Sequence, residues 1–478
     1  MNGFGFSLAV NVALRADAKG YFLISPAPIK LLRLNESLYN ILKHIRDGGQ
    51  PSDFHIRNPQ NTTRVLLTLV ARGYLKLERT APLMVCPNVS VIIPVRDQPE
   101  DLLDCLKALE KVRYPKDRLE IIVVDDGSKE EVARIVSSEN IRIIRHNESK
   151  GAAACRNIGA ENAKGDIFAF LDADCVAGES WLEEIVSFFQ SAGAGAAGGY
   201  IDGYEDKTSL DRYEKVFSSL NMGNRLIIEA SGDSGFYVPT ANLLVSREAF
   251  KTTGGFKEGM RVGEDVDFCW RLREHGFTLI YTPSGSVAHR HRNKLGRMLK
   301  RRAEYGTSEA LLYRTHRDKK KGFNFAVLPV LSFIALTLAI LLMNPYPLCA
   351  LPLFFGIDMS MKNKTVKKYK MELPLRQIAA AALRSLLSFY YFAFFHLMRY
   401  YLVLIVGMGF AWWPFWVWGG AGLLYTSLTD YIVKKPQLFY LVSLFYYLLE
   451  HIVYQAGVFW GCVKYRYFGS YLIRFKLT

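Results

Sequence analysis

Four groups of side chains in this sequence could do chemistry. Leu171-Asp172-Ala173-Asp174 closes an apolar run with two carboxylates two positions apart, which share one face of an extended segment. Such a pair suits a hard divalent cation, Mn2+ or Mg2+, that takes oxygen ligands and bridges a diphosphate. Val124-Asp125-Asp126-Gly127-Ser128 closes another apolar run; a carboxylate there can accept the N–H of a pyrimidine ring, and the glycine permits a close turn. Glu264-Asp265 follows Gly263 and precedes a helical stretch, so it fits an ordinary helix N-terminal pair held by the helix dipole as well as a reactive pair. His289 and His291 follow a Ser284-Gly285-Ser286 turn at alternate spacing, on one face of an extended segment. Each group alone is a weak signal, since Asp-Asp-Gly-Ser is a common turn and D-x-D recurs by chance. Their order and their shared position after strands give them weight.

The elements that must position these groups follow from periodicity. Apolar strands are expected at 89–95, 121–124, 141–144 and 167–171, separated by helices near 99–110, 130–136, 153–163 and 180–189. Such alternation predicts an α/β fold with a largely parallel sheet and ligand sites at the carboxyl ends of its strands. The carboxylates cluster there.

The chain has 478 residues and a net charge of +15, too long for a single small module. The charge is unevenly placed: 86–288 is −10, whereas 289–321 is +9 and 362–376 is +5. A uniformly basic chain would admit nucleic acid as partner; this distribution favours the cytoplasmic face of a membrane. Residues 323–343 and 400–424 carry no charge, the second run broken by Pro414 and rich in Trp412, Trp413, Trp416 and Trp418. The first would make a spanning helix of about 31 Å, with re-entrant or interfacial helices as the alternative. A third apolar block, 438–463, contains Glu450 and His451. Residues 1–14 lack the basic start and long apolar core of a secretory signal. Seven cysteines without CxxC spacing read as reduced thiols on the cytosolic side.

Residues 1–82 predict a small winged-helix module: strands at 21–24 and 29–34, a helix capped by Asn35, a second capped by Thr62 or Thr63, and a returning strand at 74–77. The stretch SPAPIKLLRLNESLYNILKHI…RVLLTLVARGYLKL resembles the PqqD-like peptide-recognition domain. That resemblance implies a precursor peptide bound as an added strand. No helix here interleaves basic and base-reading residues, which argues against nucleic acid.

VSVIIPVRDQPEDLLDCLKAL…LEIIVVDDGS…NESKGAAACRNIGAENAKGDIFAFLDADC…GEDVDFCWRLREHG resembles the family 2 glycosyltransferases, which have the GT-A fold. The resemblance implies a nucleotide-sugar donor, a divalent metal and inversion at the anomeric carbon. It assigns Pro94, Arg96, Asp125 or Asp126, Gly151, Arg156 and Asn157 to the nucleoside pocket. Asp172 and Asp174 match the D-x-D, with Asp174 as direct metal ligand. Glu264-Asp265 matches the Glu-Asp pair whose aspartate is general base. His289, with His291 as its neighbour, falls where the family adds a metal or pyrophosphate contact, and Asn242 falls near donor and acceptor. The Gln-x-x-Arg-Trp motif of processive polysaccharide synthases does not follow Asp265.

Three parts are therefore expected: 1–82, a catalytic domain at 87–322, and an apolar helical membrane-associating region at 323–478. Their order resembles enzymes that add glucose from UDP-glucose, in one or more transfers, to a small redox cofactor made from a peptide. A lipid-phosphate or envelope-glycan acceptor is the alternative, and a non-catalytic peptide scaffold is disfavoured by the complete acidic motifs.

Overall fold

A computed structural model describes residues 4–18, 20–26, 29–54, 56, 58–79, 85–136, 140–229, 235–291, 293–319, 321–369 and 373–477. Contacts divide the chain into two compact units, Met1–Ala9 with Asn40–Asn293, and Val10–Tyr39 with Lys294–Thr478. The first 82 residues are shared between them.

The N-terminal elements are β1 (Phe4–Leu8), β2 (Ala13–Asp17), β3 (Gly20–Pro26), β4 (Ile29–Leu34), α1 (Glu36–Arg46), α2 (Pro59–Ala71) and β5 (Leu75–Arg79). Asn35 caps α1, its Oδ1 accepting the Leu38 N–H at 2.9 Å. The second helix starts earlier than expected: Asn58 caps it through the Asn61 N–H at 2.9 Å, and Pro59, lacking an N–H, fits the first helical position. The Thr63 hydroxyl instead donates to the Pro59 carbonyl, 2.9 Å away. The returning strand β5 pairs antiparallel with β1, while β2, β3 and β4 form a separate antiparallel sheet.

The first unit continues with β6 (Val89–Val95), α3 (Pro99–Glu110), β7 (Leu119–Asp125), β8 (Ile141–Arg145), α4 (Ala152–Asn162) and β9 (Ile167–Leu171). A single 3-10 turn, Val132–Arg134, stands where a helix was expected. Next come β10 (Cys175–Ala177), α5 (Trp181–Ala192), β11 (Ala196–Gly198), β12 (Ile201–Gly203), α6 (Ser209–Phe217), β13 (Ile227–Glu229) and β14 (Asn242–Ser246). The unit closes with α7 (Arg247–Thr253), α8 (Glu264–Glu274), β15 (Leu279–Tyr281) and β16 (Val287–His289).

Eight strands form the main sheet in the order β13-β15-β11-β14-β9-β6-β7-β8. Within it β9, β6, β7 and β8 are parallel, so the residues after each strand emerge at one edge. Both faces are covered, which explains strands such as Ile167–Leu171 that are buried at every position. Phe168, Phe170, Phe250, Phe256 and Phe268 pack together in the core.

The second unit adds α9 (Leu295–Thr315), β17 (Lys321–Phe325), α10 (Val327–Leu341), α11 (Ala350–Lys368), α12 (Leu375–Ala411), α13 (Pro414–Lys434), α14 (Tyr440–Tyr465) and β18 (Ile473–Leu477). The run 323–343 is not the spanning helix that its composition suggested. Its start is spent on β17, which pairs with β18, leaving α10 with 15 residues, about 22 Å against a hydrocarbon core of about 30 Å. Instead α12, with 37 residues, and α14, with 26, are long and apolar enough to cross a membrane. Between α12 and α13, Trp412 is extended (φ −147°, ψ 100°) and Pro414 takes the first turn of the new helix.

In this unit α9 and α14 approach closely because glycines face backbone: a Cβ on Gly457 would lie 2.2 Å from the Ala303 carbonyl oxygen. Charges buried between these helices are paired. Glu450 of α14 accepts from Arg399 of α12 at 2.9 Å and lies 3.4 Å from Arg302 of α9.

Candidate active site

The parallel strands bring the motif residues to one sheet edge. At the end of β7, Asp125 is buried; its carboxylate accepts the Ser128 N–H at 2.8 Å and pairs with Arg145 on the neighbouring β8. Asp126 points to the next loop, accepting the Ser149 hydroxyl at 2.7 Å and the N–H groups of Lys150 at 2.7 Å and Gly151 at 3.0 Å. Burial raises its pKa, but these donors outweigh burial and hold the carboxyl below the ordinary range. Gly151 has φ +93°, a conformation that favours glycine, and it turns the chain into α4. Both aspartates are thus held by donors of the protein's own loops. Exposed Arg96, following β6, donates to Ser149 at 2.7 Å, and half-buried Pro94 lies near the end of the strand.

Arg156 of α4 ties two motifs together. Its guanidinium, 3% exposed, donates to Asp172 Oδ1 at 2.6 Å and to Glu264 Oε1 at 3.1 Å. The D-x-D after β9 and the Glu-Asp pair at the start of α8, 92 positions apart in sequence, therefore share one cation. Gly263 precedes α8 at φ +84°, and Asp265 is half-buried in its first turn, where Oδ1 accepts the Val266 N–H at 2.8 Å.

Strand pairing sets the second carboxylate. In the register of β10 with β16, Cys175 lies opposite His289, which leaves Asp174 Oδ1 3.4 Å from His289 Nε2. The Arg290 N–H donates to the Asp174 carbonyl at 2.9 Å. His291 follows with its ring 4.8 Å from that of His289, as alternate spacing requires. Asp174 Oδ1 and His289 Nδ1 are buried and make no hydrogen bond, a costly state for polar atoms. Burial first, then the Asp172 and Asp101 carboxylates, push the Asp174 carboxyl up despite His289. A divalent cation would satisfy such an oxygen; the carboxylates suit Mn2+ or Mg2+, and an imidazole beside them favours Mn2+ of the two. The nearby Cys175 is buried, and its sulfur is a soft ligand.

Two expected pocket residues are engaged elsewhere. Asn242 is fully buried: its Oδ1 accepts Trp181 Nε1–H at 2.7 Å, and its NH2 donates to the carbonyls of Tyr200 at 3.1 Å and Gly285 at 2.9 Å. Both amide donors are used, so none remains for a sugar hydroxyl. Asn157 clamps the 256–258 loop, bonding both the N–H and the carbonyl of Phe256 at 2.8 and 2.9 Å and Glu258 at 3.2 Å.

Other residues matter that sequence reasoning did not single out. Arg145 and Ser149 hold the two aspartates. Arg290 bonds Asp101 at 2.6 Å and Asp104 at 2.5 Å and lies over the Tyr204 ring, anchoring the histidine strand to α3. The available signal was position: Arg145 ends a strand, and Arg290 stands between two histidines.

Residues 90–254 match the glycosyl transferase family 2 model. Glycosyltransferase AglE of Haloferax volcanii is 31% identical over 256 residues, 52% of this chain and 82% of that protein. The chain belongs to glycosyl transferase family 2. The pre-mycofactocin glycosyltransferase of Mycobacterium tuberculosis is 32% identical over 319 residues, covering 66% of this chain and 64% of that relative's length. Among solved structures, mannosyltransferase PcManGT from Pyrobaculum calidifontis, in complex with GDP-Man and Mn2+, is 17% identical with a TM-score of 0.39, covering 78% of this chain and 98% of that chain. The strand order and the family match carry the assignment of this glycosyltransferase to a GT-A-like mixed sheet. Its Glu264-Asp265 pair lies beyond the matched segment, and Arg156 links Glu264 directly to that segment.

Proposed function

We propose that this glycosyltransferase moves glucose from UDP-glucose, with inversion, onto a small peptide-derived redox cofactor in mycofactocin-type maturation. It works at the cytoplasmic face of a membrane and can repeat the transfer. The observation that carries this reading is the 319-residue likeness to a pre-mycofactocin glycosyltransferase, longer than the 90–254 core alone.

The pocket wall of Asp125, Asp126, Ser149 and Gly151, with Arg96 at its rim, holds the nucleoside. Asp174 and His289, with Asp172 and His291 beside them, are the residues that would hold the divalent cation; when bound, it supplies positive charge to the departing diphosphate. Asp265 takes the proton of the acceptor hydroxyl as that oxygen bonds to the anomeric carbon and the bond to the diphosphate breaks. Arg156 keeps Glu264, and with it the first turn of α8, in register with the D-x-D. The N-terminal strands are the place for a precursor peptide to add as a further strand.

A second reading, a lipid-phosphate-linked acceptor, is favoured by the two long apolar helices. One experiment separates the two. The full chain is incubated with Mn2+, a panel of nucleotide sugars and either the peptide-derived cofactor or a polyprenyl phosphate, and products are weighed by mass spectrometry. A hexose added to the cofactor from UDP-glucose is the expected result. A mass gain only on the polyprenyl phosphate overturns the cofactor assignment, and no transfer to either acceptor overturns both.

A further inference from the structure

The second unit contains a cavity of about 510 Å³ between α11 and α12 that no step of sugar transfer uses. Its two walls are helix faces at i, i+3, i+4 and i+7: Asp358, Met361, Lys362 and Thr365 on α11, and Ala381, Arg384, Ser385 and Ser388 on α12. Ile29 closes one side.

The charges in this cavity are not balanced. Asp358 is bound by Lys362 through both oxygens, at 2.5 and 2.6 Å, and its side chain is 11% exposed, so the two charges cancel locally. Arg384 has no ion-pair partner among the described residues, and the hydroxyls of Ser385 and Ser388 lie beside it on the same wall. A guanidinium with two adjacent hydroxyls is a donor set for phosphate oxygens.

Helix length places this donor set relative to a bilayer. Arg384 precedes the end of α12 at Ala411 by 27 residues, about 40 Å at 1.5 Å per residue. A bilayer with its headgroups is about 40–45 Å thick. Trp412, Trp413 and Trp416, 45–52% exposed, stand at the far end of this distance, as interfacial tryptophans do. With that belt at one interface, Arg384 lies in the headgroup layer of the other. Exposed Leu387 and Phe392, 44% and 47% accessible, follow within about two turns toward the hydrocarbon. The lysines at 364, 367 and 368 on α11 add the positive charge of a cytoplasmic flank.

The geometry points to this cavity as a binding site for the phosphate of an anionic membrane lipid, with Arg384, Ser385 and Ser388 as its ligands. The inference rests on the membrane association of the second unit. A free phosphate ion would use the same donors, and the apolar surface beside them, which acyl chains would cover, is the reason to assign a lipid.

The test uses the full chain. Flotation with pure phosphatidylcholine vesicles reports membrane association by itself. Native mass spectrometry in neutral detergent then follows binding of phosphatidylglycerol against phosphatidylcholine, for the parent chain and for Arg384→Gln, Ser388→Ala and Arg376→Gln, the last an exposed arginine on the same helix outside the cavity. The expected result is a preference for phosphatidylglycerol that Arg384→Gln weakens by about tenfold or more, the worth of one charge-assisted hydrogen bond. Ser388→Ala weakens it less, and Arg376→Gln leaves it intact. Equal losses in Arg376→Gln and Arg384→Gln would mean diffuse charge attraction and overturn the site. Displacement of the lipid by inorganic phosphate would overturn the lipid assignment. Flotation with no lipid preference refutes the cavity alone, whereas failure to float refutes the membrane reading beneath it.

Discussion

Replacing Arg156 by Gln removes the cation that touches both Asp172 and Glu264. Losing one partner of a buried ion pair costs about 3–5 kcal/mol, because a charge is left buried without compensation. Here the Glu264 side chain is 13% exposed and that of Asp172 is 30% exposed, so water recovers part of the loss and the lower end, about 3 kcal/mol, applies. For a unit of this size each kcal/mol moves the midpoint by about 2–4 °C, so the first unit should unfold about 6–12 °C lower. Arg290→Gln is the control: its partners Asp101 and Asp104 are 28% and 40% exposed, and its cost should be less than half as large. Arg156→Lys should recover only part of the loss, since an ammonium lacks the planar fork that reaches two carboxylates. Differential scanning calorimetry of the full chain in detergent measures all three. An unmoved midpoint in Arg156→Gln, or an equal fall in Arg290→Gln, would refute the claim that this cation couples the two carboxylate motifs.

Other substitutions test the remaining parts of the molecule. Asp265→Asn should lower the transfer rate by about 10²–10⁴-fold, the usual worth of a positioned base, while isothermal titration shows nucleotide-sugar binding unchanged; normal turnover would remove Asp265 from the mechanism. His289→Ala should weaken Mn2+ binding, followed by electron paramagnetic resonance, by at least the roughly tenfold lost with an outer-shell partner. The Asp126 pKa is depressed below 3.8 in the folded chain, so its contribution is present above that value and is lost as pH falls through the folded pKa. Asp126→Asn should accordingly be less stable at neutral pH and lose less stability on acidification, measured by urea unfolding at several pH values. Gly457→Val should destabilise the second unit by about 1–3 kcal/mol or more, as overpacking does, because its first side-chain atom would meet the Ala303 carbonyl.

The fold of the catalytic unit was legible where apolar residues run without interruption. The strands at 89–95 and 167–171 were placed residue for residue, because a strand buried on both faces has no competing pattern. The strands β1 and β2 were not foreseen: Phe4-Gly5-Phe6-Ser7-Leu8 is short and contains glycine, and its stability comes from pairing with β5, some 70 residues away. The first apolar run was misjudged where composition and hydrogen bonding disagree. Residues 323–325 are apolar enough for a span, yet their backbone groups pair with a strand at the other end of the chain. In the site, residue types and order were readable and direction was not. Asn242 looked like a sugar contact by position, but only the structure reveals Trp181 and two carbonyls waiting for its amide.

The ion pair between Arg399 and Glu450 bears on how the chain is made. Ribosomal synthesis delivers α12 before α14, so Arg399 emerges some 50 residues ahead of its partner. A bare arginine at the centre of a translocating helix carries an insertion cost of about 2.5–3.5 kcal/mol. On the proposal that α12 and α14 enter a bilayer, the earlier helix is expected to wait at the translocon, or to slide toward the interface, until the later one arrives and neutralises it. Biogenesis of this region would then be a paired event, and a ribosome stalled between residues 411 and 450 should hold a helix that is not yet committed to the bilayer.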